Sequence, residues 1–129
     1  IAFKDEKLAK EFRYQIKNKG AMLAKGFVVG IQFEEAFKNN LYFDLAKNAN
    51  ELASYIKDSL KGLNFYGNSP TNQLFIEFNK DIAHKIIDKY DCEIWEEKEN
   101  SIIIRIVTSW ATKKEDCEEL VNDIMNWCK

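Results

Sequence analysis

Ile102-Ile103-Ile104-Arg105-Ile106-Val107 is the stretch on which the reading of this chain turns. Apart from Arg105, every side chain in it is a β-branched aliphatic, a type that packs well on a pleated surface and loses rotamer freedom in a helix. The run therefore reads as a central strand covered on both faces. A Lys98-Glu99-Asn100 turn separates it from another extended stretch, residues 92–97, so the two form an antiparallel pair. Further upstream, residues 73–78 alternate, with Leu74, Ile76 and Phe78 on one side, and residues 63–66 form a shorter extended piece across a Gly67-Asn68-Ser69-Pro70 loop. Between the pairs, Asn79 caps a short helix with Ile82, Ile86 and Tyr90 as its buried side. After the run, Thr112-Lys113-Lys114-Glu115 reads as a capping box that opens a final helix, with Cys117, Leu120, Val121, Ile124 and Cys128 on its face.

The segment ahead of these strands is helical. Leu8, Phe12 and Ile16 recur every four positions over residues 6–19, a narrow helical stripe that Gly20 ends or bends. Residues 21–37 (AMLAKGFVVGIQFEEAF) are apolar nearly all round, the pattern of a helix buried on most sides. Gly26 and Gly30 lie one turn apart on it, and each costs about 1 kcal/mol of helix propensity relative to Ala. Another element or a ligand is therefore expected to approach the backbone along that face. Asn39 or Asn40 caps a third helix whose face is Leu41, Leu45, Ala49, Leu52, Ile56 and Leu60, and Gly62 followed by Leu63 reads as its Schellman stop. The expected fold is α+β: N-terminal helices, then a small antiparallel sheet in the order β-β-α-β-β-α with two helices on one face. Residues 1–38 form the helical segment and residues 39–129 the small α+β domain.

Length and composition agree with this sketch. A chain of 129 residues, 46% apolar, builds a core without disulfides or metal, which sets disorder aside. The longest apolar stretch, residues 21–33, is interrupted by Lys25 and Gln32 and falls short of the roughly 18 residues of a spanning helix. Lys and Arg number 19 against 21 Asp and Glu, and a net charge of −2 steers the chain toward neither nucleic acid nor anionic membrane. Cys92, Cys117 and Cys128 form no C-x-x-C pair, their number is odd, and the single His84 is far from them in sequence. Zinc spacing and a disulfide framework are both poorly supported, and three reduced thiols suit a cytoplasmic protein. The chain opens on Ile1-Ala2-Phe3 without a Met or a signal peptide, as a chain cut from something longer would.

Arg105 carries the most information about chemistry. A guanidinium in a well-buried strand needs a carboxylate from the protein or an anionic ligand, and its planar fork suits two-point contact with a carboxylate. Two bland alternatives stand beside that reading: a position on the solvent side of an edge strand, or pairing with Glu93 or Glu97. Lys25, beside Gly26, could meet a phosphate or an acidic group, or let its stem snorkel to the surface. Ser69-Pro70-Thr71-Asn72-Gln73 could present amides and hydroxyls to a ligand or simply make a turn. His84 has no nucleophile arranged with it and reads as a surface histidine. Trp95, Trp110 and Trp127 read as core or interface anchors rather than a base-stacking platform, since the chain lacks a cationic groove.

Along nearly the whole chain, six segments resemble, in order and at the right intervals, the C-terminal third of the low-specificity threonine aldolase and β-eliminating lyase family. They are IKNKGAMLAKG at 16–26, GIQF at 30–33, NLYF at 40–43, SPTNQ at 69–73, EIWE at 93–96 and RIVTSWAT at 105–112. The family consists of pyridoxal-phosphate enzymes of fold type I, the aspartate-aminotransferase fold. The resemblance implies that this chain is a piece of a lyase acting on β-hydroxy-α-amino acids, cleaving a carbon–carbon bond to give glycine and an aldehyde. The Schiff-base lysine would lie upstream, in an N-terminal domain of the same parent chain. The first residues here would be the strand that follows that lysine, and residues 1–38 would belong to the large domain or its connection.

Carried over by position, Arg105 resembles the family arginine that holds the substrate α-carboxylate, and Lys25 would line the cofactor cavity near a subunit boundary. Phe27 departs from the pattern, because a basic residue is common there. The resemblance further implies a homo-oligomeric parent, pyridoxal phosphate bound in the parent and not by this piece, and no catalysis by the piece alone. Two other readings remain open from the sequence: a free-standing amino-acid-binding regulatory module, for which the β-α-β-β-α order also serves, and a dimeric interaction domain built on residues 21–37.

Overall fold

A computed structural model describes residues 2–129, which divide into two compact units, Ile1–Leu41 and Tyr42–Lys129. The second unit contains the sheet. Its strands are β1 (Asn64–Phe65), β2 (Gln73–Asn79), β3 (Glu93–Glu97) and β4 (Ser101–Val107), ordered β1-β2-β4-β3 and antiparallel throughout. The isoleucine run is thus central, between β2 and β3, as its composition demands.

Alternation along the strands divides their side chains between two faces. Leu74, Ile76 and Phe78 of β2 and Ile102, Ile104 and Ile106 of β4 point to one face and are buried. Helices α4 (Leu41–Ser59), α5 (Lys80–Tyr90) and α6 (Lys114–Trp127) close over them with Leu52, Ala53 and Ile56, with Ala83 and Ile86, and with Cys117, Leu120, Val121 and Ile124. Three helices therefore cover this face instead of the expected two, because the long third helix turns its apolar stripe onto the same core. No helix of this unit contributes to the core from the other face, so β4 is central without being sandwiched between helical layers.

The helix ends differ from expectation in detail. Asn79 caps α5 as expected, its side chain accepting from the Ile82 N–H at 2.9 Å. Lys113, with no capping side chain, occupies the cap of α6, because the Thr112 hydroxyl is already accepting from the Ser109 N–H at 2.8 Å. Cys128, expected on the α6 face, is exposed just beyond its last turn. Gly62 lies outside the left-handed region, so α4 has no Schellman stop; the chain leaves it by a turn in which Leu63 N–H donates to the Leu60 carbonyl at 3.0 Å. That turn is short enough to feed β1 directly.

The first unit is made of α1 (Glu6–Ala9), α2 (Phe12–Asn18), α3 (Gly26–Phe37) and a 3₁₀ turn at Lys38–Asn40 that leads into α4. The helix expected over residues 6–19 is broken in two at Glu11, whose φ of 61° is left-handed. Such short helices with no buried face have little to hold them in one piece. Gly20, at φ 68°, ends α2 as read from the sequence. None of the described residues of this unit is buried, α3 included. The expected enclosure of residues 21–37 is therefore corrected: the three other short helical pieces of this unit, without a sheet, do not surround a helix that is apolar all round. Among the described residues no element makes the expected close approach at its glycines, since a Cβ at Gly30 would meet nothing within 4 Å and one at Gly26 only the Leu23 Cβ at 3.8 Å. The expected opening strand falls partly on Ile1, which lies outside the described residues. Ala2 and Phe3 take no regular structure, there being no neighbouring strand in this unit to satisfy their backbone.

Candidate functional site

Glu93, the first residue of β3, lies directly opposite Arg105, and Phe75 of β2 lies opposite Arg105 on the other side. Beyond that row, β4 continues through Ile106 and Val107 with no β3 partner, while β2 pairs with it as far as Gln73. The missing neighbour leaves a corner at the end of the sheet. Tyr90, Asp91 and Cys92 from the α5–β3 connection wall it on one side, and Thr112, Asp116 and Cys117 from the start of α6 on the other. The resulting cavity, open to solvent, is about 330 Å³, enough for a small organic acid or amino acid, and Arg105 is its one cationic lining residue.

Arg105 projects from the face of the sheet opposite the helical core, with its side chain 31% exposed. Its Nη2 donates to Glu93 Oε2. Its Nε–H is buried and has no hydrogen-bond partner. The protein-side partner is therefore Glu93, whereas Glu97 pairs with Lys80 at 3.0 Å. Asp91, Glu93 and Asp116 line the cavity together with this guanidinium. Such a balance accepts one carboxylate, or an amino acid whose ammonium faces the acids, and disfavours a phosphate dianion. The residues that line this cavity do not fit the phosphate of pyridoxal phosphate.

The segment after Arg105 is held by side chains that no local pattern singles out as a group. Thr108 is buried, and its hydroxyl donates to the Ala49 carbonyl of α4 at 2.6 Å. Asn72 and Thr108 exchange two bonds, Thr108 N–H to the Asn72 carbonyl at 3.0 Å and Asn72 Nδ2–H to the Thr108 carbonyl at 2.7 Å. Asn48 Nδ2 lies within 3.5 Å of the carbonyls of Ser109, Trp110 and Thr112. This lacing fixes where β4 ends, and hence where Arg105 stands. It also favours the turn over the ligand-presenting loop among the two readings of residues 69–73. Ser69 and Thr71 hydroxyls bond each other at 2.9 Å, Gln73 N–H donates to Thr71, and Asn72 is spent on Thr108. That is turn chemistry.

A polar clamp sets the outer wall. Asp123 of α6 accepts from the Tyr90 hydroxyl at 2.7 Å and from Lys89 Nζ at 2.5 Å, and Lys89 also reaches Glu119 at 2.7 Å. Burial, with Asp123 beside it, pushes the Tyr90 phenol up to about 12, while the Lys89 and Tyr90 bonds hold the Asp123 carboxyl below its usual range. Cys92 and Cys117 share the cavity wall, and burial, reinforced by neighbouring carboxylates, pushes both thiols up. They stay protonated near neutral pH and are poor nucleophiles.

Lys25 is exposed at the cap position of α3 in the first unit, rather than inside a buried helix, and Arg105 belongs to the second. His84 is exposed on α5. Trp95 meets Phe75 edge to face at 4.8 Å on the open side of the sheet, Trp127 packs against the core, and Trp110 is exposed, so only the first two anchor anything within this unit. Among the described residues no group of three or more His, Cys, Asp or Glu is placed to hold a metal ion, and no helix is long and apolar enough to cross a membrane.

The Glu93–Arg105 row was legible as one of two pairings. Glu97 falls opposite Ile102 beside the turn, and a β-bulge between Ile94 and Glu96 brings Glu93 opposite Arg105, where an unbroken register would bring Ile94; nothing in the composition of β3 announces that shift. No protein-family model matches this sequence, and no curated protein matches it. Among solved structures, Leishmania major threonine aldolase superposes with a TM-score of 0.81 and 33% sequence identity over 91% of this chain. The α+β architecture read from the sequence is that of the matching region. The chain spans about a third of the length of that enzyme (35%), and it is to this part of a threonine aldolase that it is similar in both fold and sequence.

Proposed function

We propose that this chain is the C-terminal portion of a pyridoxal-phosphate-dependent lyase of the threonine aldolase and β-eliminating lyase family, and that Arg105 holds the substrate α-carboxylate. The observation that carries the reading is the position of Arg105: the one cation among the residues lining a cavity the size of an amino acid, with its side chain partly exposed. The substrates are β-hydroxy-α-amino acids, cleaved to glycine and an aldehyde in a cytoplasmic, homo-oligomeric parent. Residues 1–38 belong to the large domain or its connection, and residues 39–129 form the small domain. Lys25, exposed at the start of α3, lines the parent's cofactor cavity near a subunit boundary. The cofactor is held by the N-terminal domain of the parent, so the isolated chain has neither covalent cofactor nor catalysis.

Arg105 acts by orientation. Two-point contact with a carboxylate fixes the rotation of the substrate about its Cα, and so selects which Cα bond is set for cleavage, although the guanidinium touches no atom of that bond. In the full-length parent, Arg105→Ala lowers kcat/KM by about 2–4 kcal/mol equivalent. Steady-state kinetics with L-threonine test this, and an unchanged kcat/KM removes Arg105 from the site. The encoded sequence upstream of Ile1 tests the rest: a Ser/Thr-Lys-Gly-like segment about ten residues before it is what a lyase of this kind requires, by analogy with the cofactor's need for a Schiff-base lysine.

One observation favours a second reading. The acidic lining opposite Arg105 also suits a free, zwitterionic amino acid, as a regulatory binding module would require. Calorimetric titration of the chain with free amino acids and with acetate separates the two: a module binds an amino acid far more tightly than acetate, whereas a piece of the lyase binds both with the same weak affinity.

A further inference from the structure

Arg105 is satisfied incompletely. Of its five N–H donors, one nitrogen, Nη2, meets Glu93, and the neighbouring Nε–H is buried without a partner. A buried donor left unbonded is unfavourable. The orientation that reaches Glu93 is therefore poorly suited to the guanidinium as a final state. A carboxylate approaching side-on uses Nε–H and Nη2–H together. It needs the same terminal nitrogen that Glu93 now holds.

Glu93 is suited to yielding it. Its side chain is 57% exposed, so the carboxylate recovers water when it leaves, and the exposed ion pair is worth at most about a fivefold preference. Glu93 is also the terminal residue of β3, beside the bulge that follows Ile94, at the edge of the cavity itself. Tyr90, Asp91 and Cys92, just before it, form the cavity wall, and the Tyr90–Asp123 bond holds that wall in place when the Glu93 side chain moves.

We propose that Glu93 is an internal stand-in for the ligand carboxylate: it holds Arg105 at the cavity mouth while the site is empty, and an incoming carboxylate displaces it. This rests on the reading of Arg105 as a carboxylate site and adds a positioning residue that sets its affinity. The step is an exchange of ion pairs and involves no covalent change. Glu93 weakens binding by competition and keeps the guanidinium from closing on other anions.

The test is a titration of the 129-residue chain with sodium acetate at constant ionic strength. Two-dimensional ¹⁵N NMR follows the Arg105 Nε–H resonance, assigned by its loss in Arg105→Lys. Glu93→Gln is expected to bind acetate about two- to fivefold tighter than the unmodified chain, with the Arg105 resonance shifting in both. Glu93→Ser provides the same comparison should the glutamine side chain bond Arg105 in its turn. Equal affinity in all three chains overturns the stand-in role, and weaker binding in both Glu93 variants overturns it in favour of a fixed orienting contact. An Arg105 resonance that fails to move in any of them also overturns it. The Arg105→Ala kinetics in the parent are independent of these outcomes, so the stand-in can fail while the carboxylate role of Arg105 survives.

Discussion

The two faces of β4 are one residue apart in sequence and opposite in purpose. Ile102, Ile104 and Ile106 enter a core closed by three helices, and that face has no polar side chain on this strand. Ile103, Arg105 and Val107 face away from those helices. There Ile103 is buried beside its cross-strand neighbour Glu77, Arg105 is partly exposed, and Val107 is about half exposed. The run looks uniform in composition, yet one face builds the core while the residue between Ile104 and Ile106 reaches the cavity at the strand end. A sheet with helices on one side leaves the other available, and a charge can stand in the middle of the best strand because it never has to enter the core.

The largest expected effect breaks the comparison if it fails. Ile104→Ala removes a fully buried side chain from the helical face and should destabilise the chain by about 2–5 kcal/mol in a urea melt, whereas Val107→Ala, on the open face, should change stability by under about 0.5 kcal/mol. Similar losses for the two would mean that both faces are equally enclosed. A smaller effect sharpens the boundary at the strand end. Thr108→Val leaves the Ala49 carbonyl without its buried donor and should cost about 1–2 kcal/mol by thermal unfolding. In the parent the same variant should move kcat/KM through the placement of Arg105, and Thr108→Ser should restore it.

The smallest effect concerns pH and the clamp behind the cavity wall. Asp123 titrates lower in the folded chain than in the unfolded one, so the unfolded state binds the extra proton. The stabilisation is complete above the ordinary carboxylate range and is lost as pH falls through and below it. Stability measured by denaturant midpoint should therefore decline on acidification more steeply in the unmodified chain than in Asp123→Asn. Parallel profiles would show that the Lys89–Asp123–Tyr90 contact has no part in holding α5 to α6.

The first unit gives a second contrast, and it shows where pattern reading stops. Residues 21–37 and residues 102–107 are both strongly apolar, and each pattern asks for enclosure. Only the second run gains it, and by helices on one face alone. A strand of this kind meets its partners within the next few dozen residues, since β2 and β3 are near in sequence and hairpin pairing is local. An apolar helix states only that it needs covering, and its periodicity does not name the cover. The same limit applies to Gly26 and Gly30: their spacing is visible in the sequence, but the element that would make use of it is not among the described residues.

The site divides in the same way. Arg105 stood out because a guanidinium among β-branched aliphatics conflicts with its surroundings, and conflict is what sequence reasoning detects best. Asn48, Asn72 and Thr108 did not stand out, since small polar residues near turns are ordinary. Their meaning comes from distant partners, Asn48 with Ser109 and Thr108 with Ala49. Strand identity, the α+β order, the Asn79 cap and the importance of Arg105 follow from local rules of period, branching and capping, which operate over a few residues and are written in the chain. The bulge that puts Glu93 rather than Ile94 opposite Arg105, the third helix over the core and the cavity at the sheet corner depend on pairing and packing that a short window of sequence does not contain. No local rule contains that information, and the folded structure alone decides it.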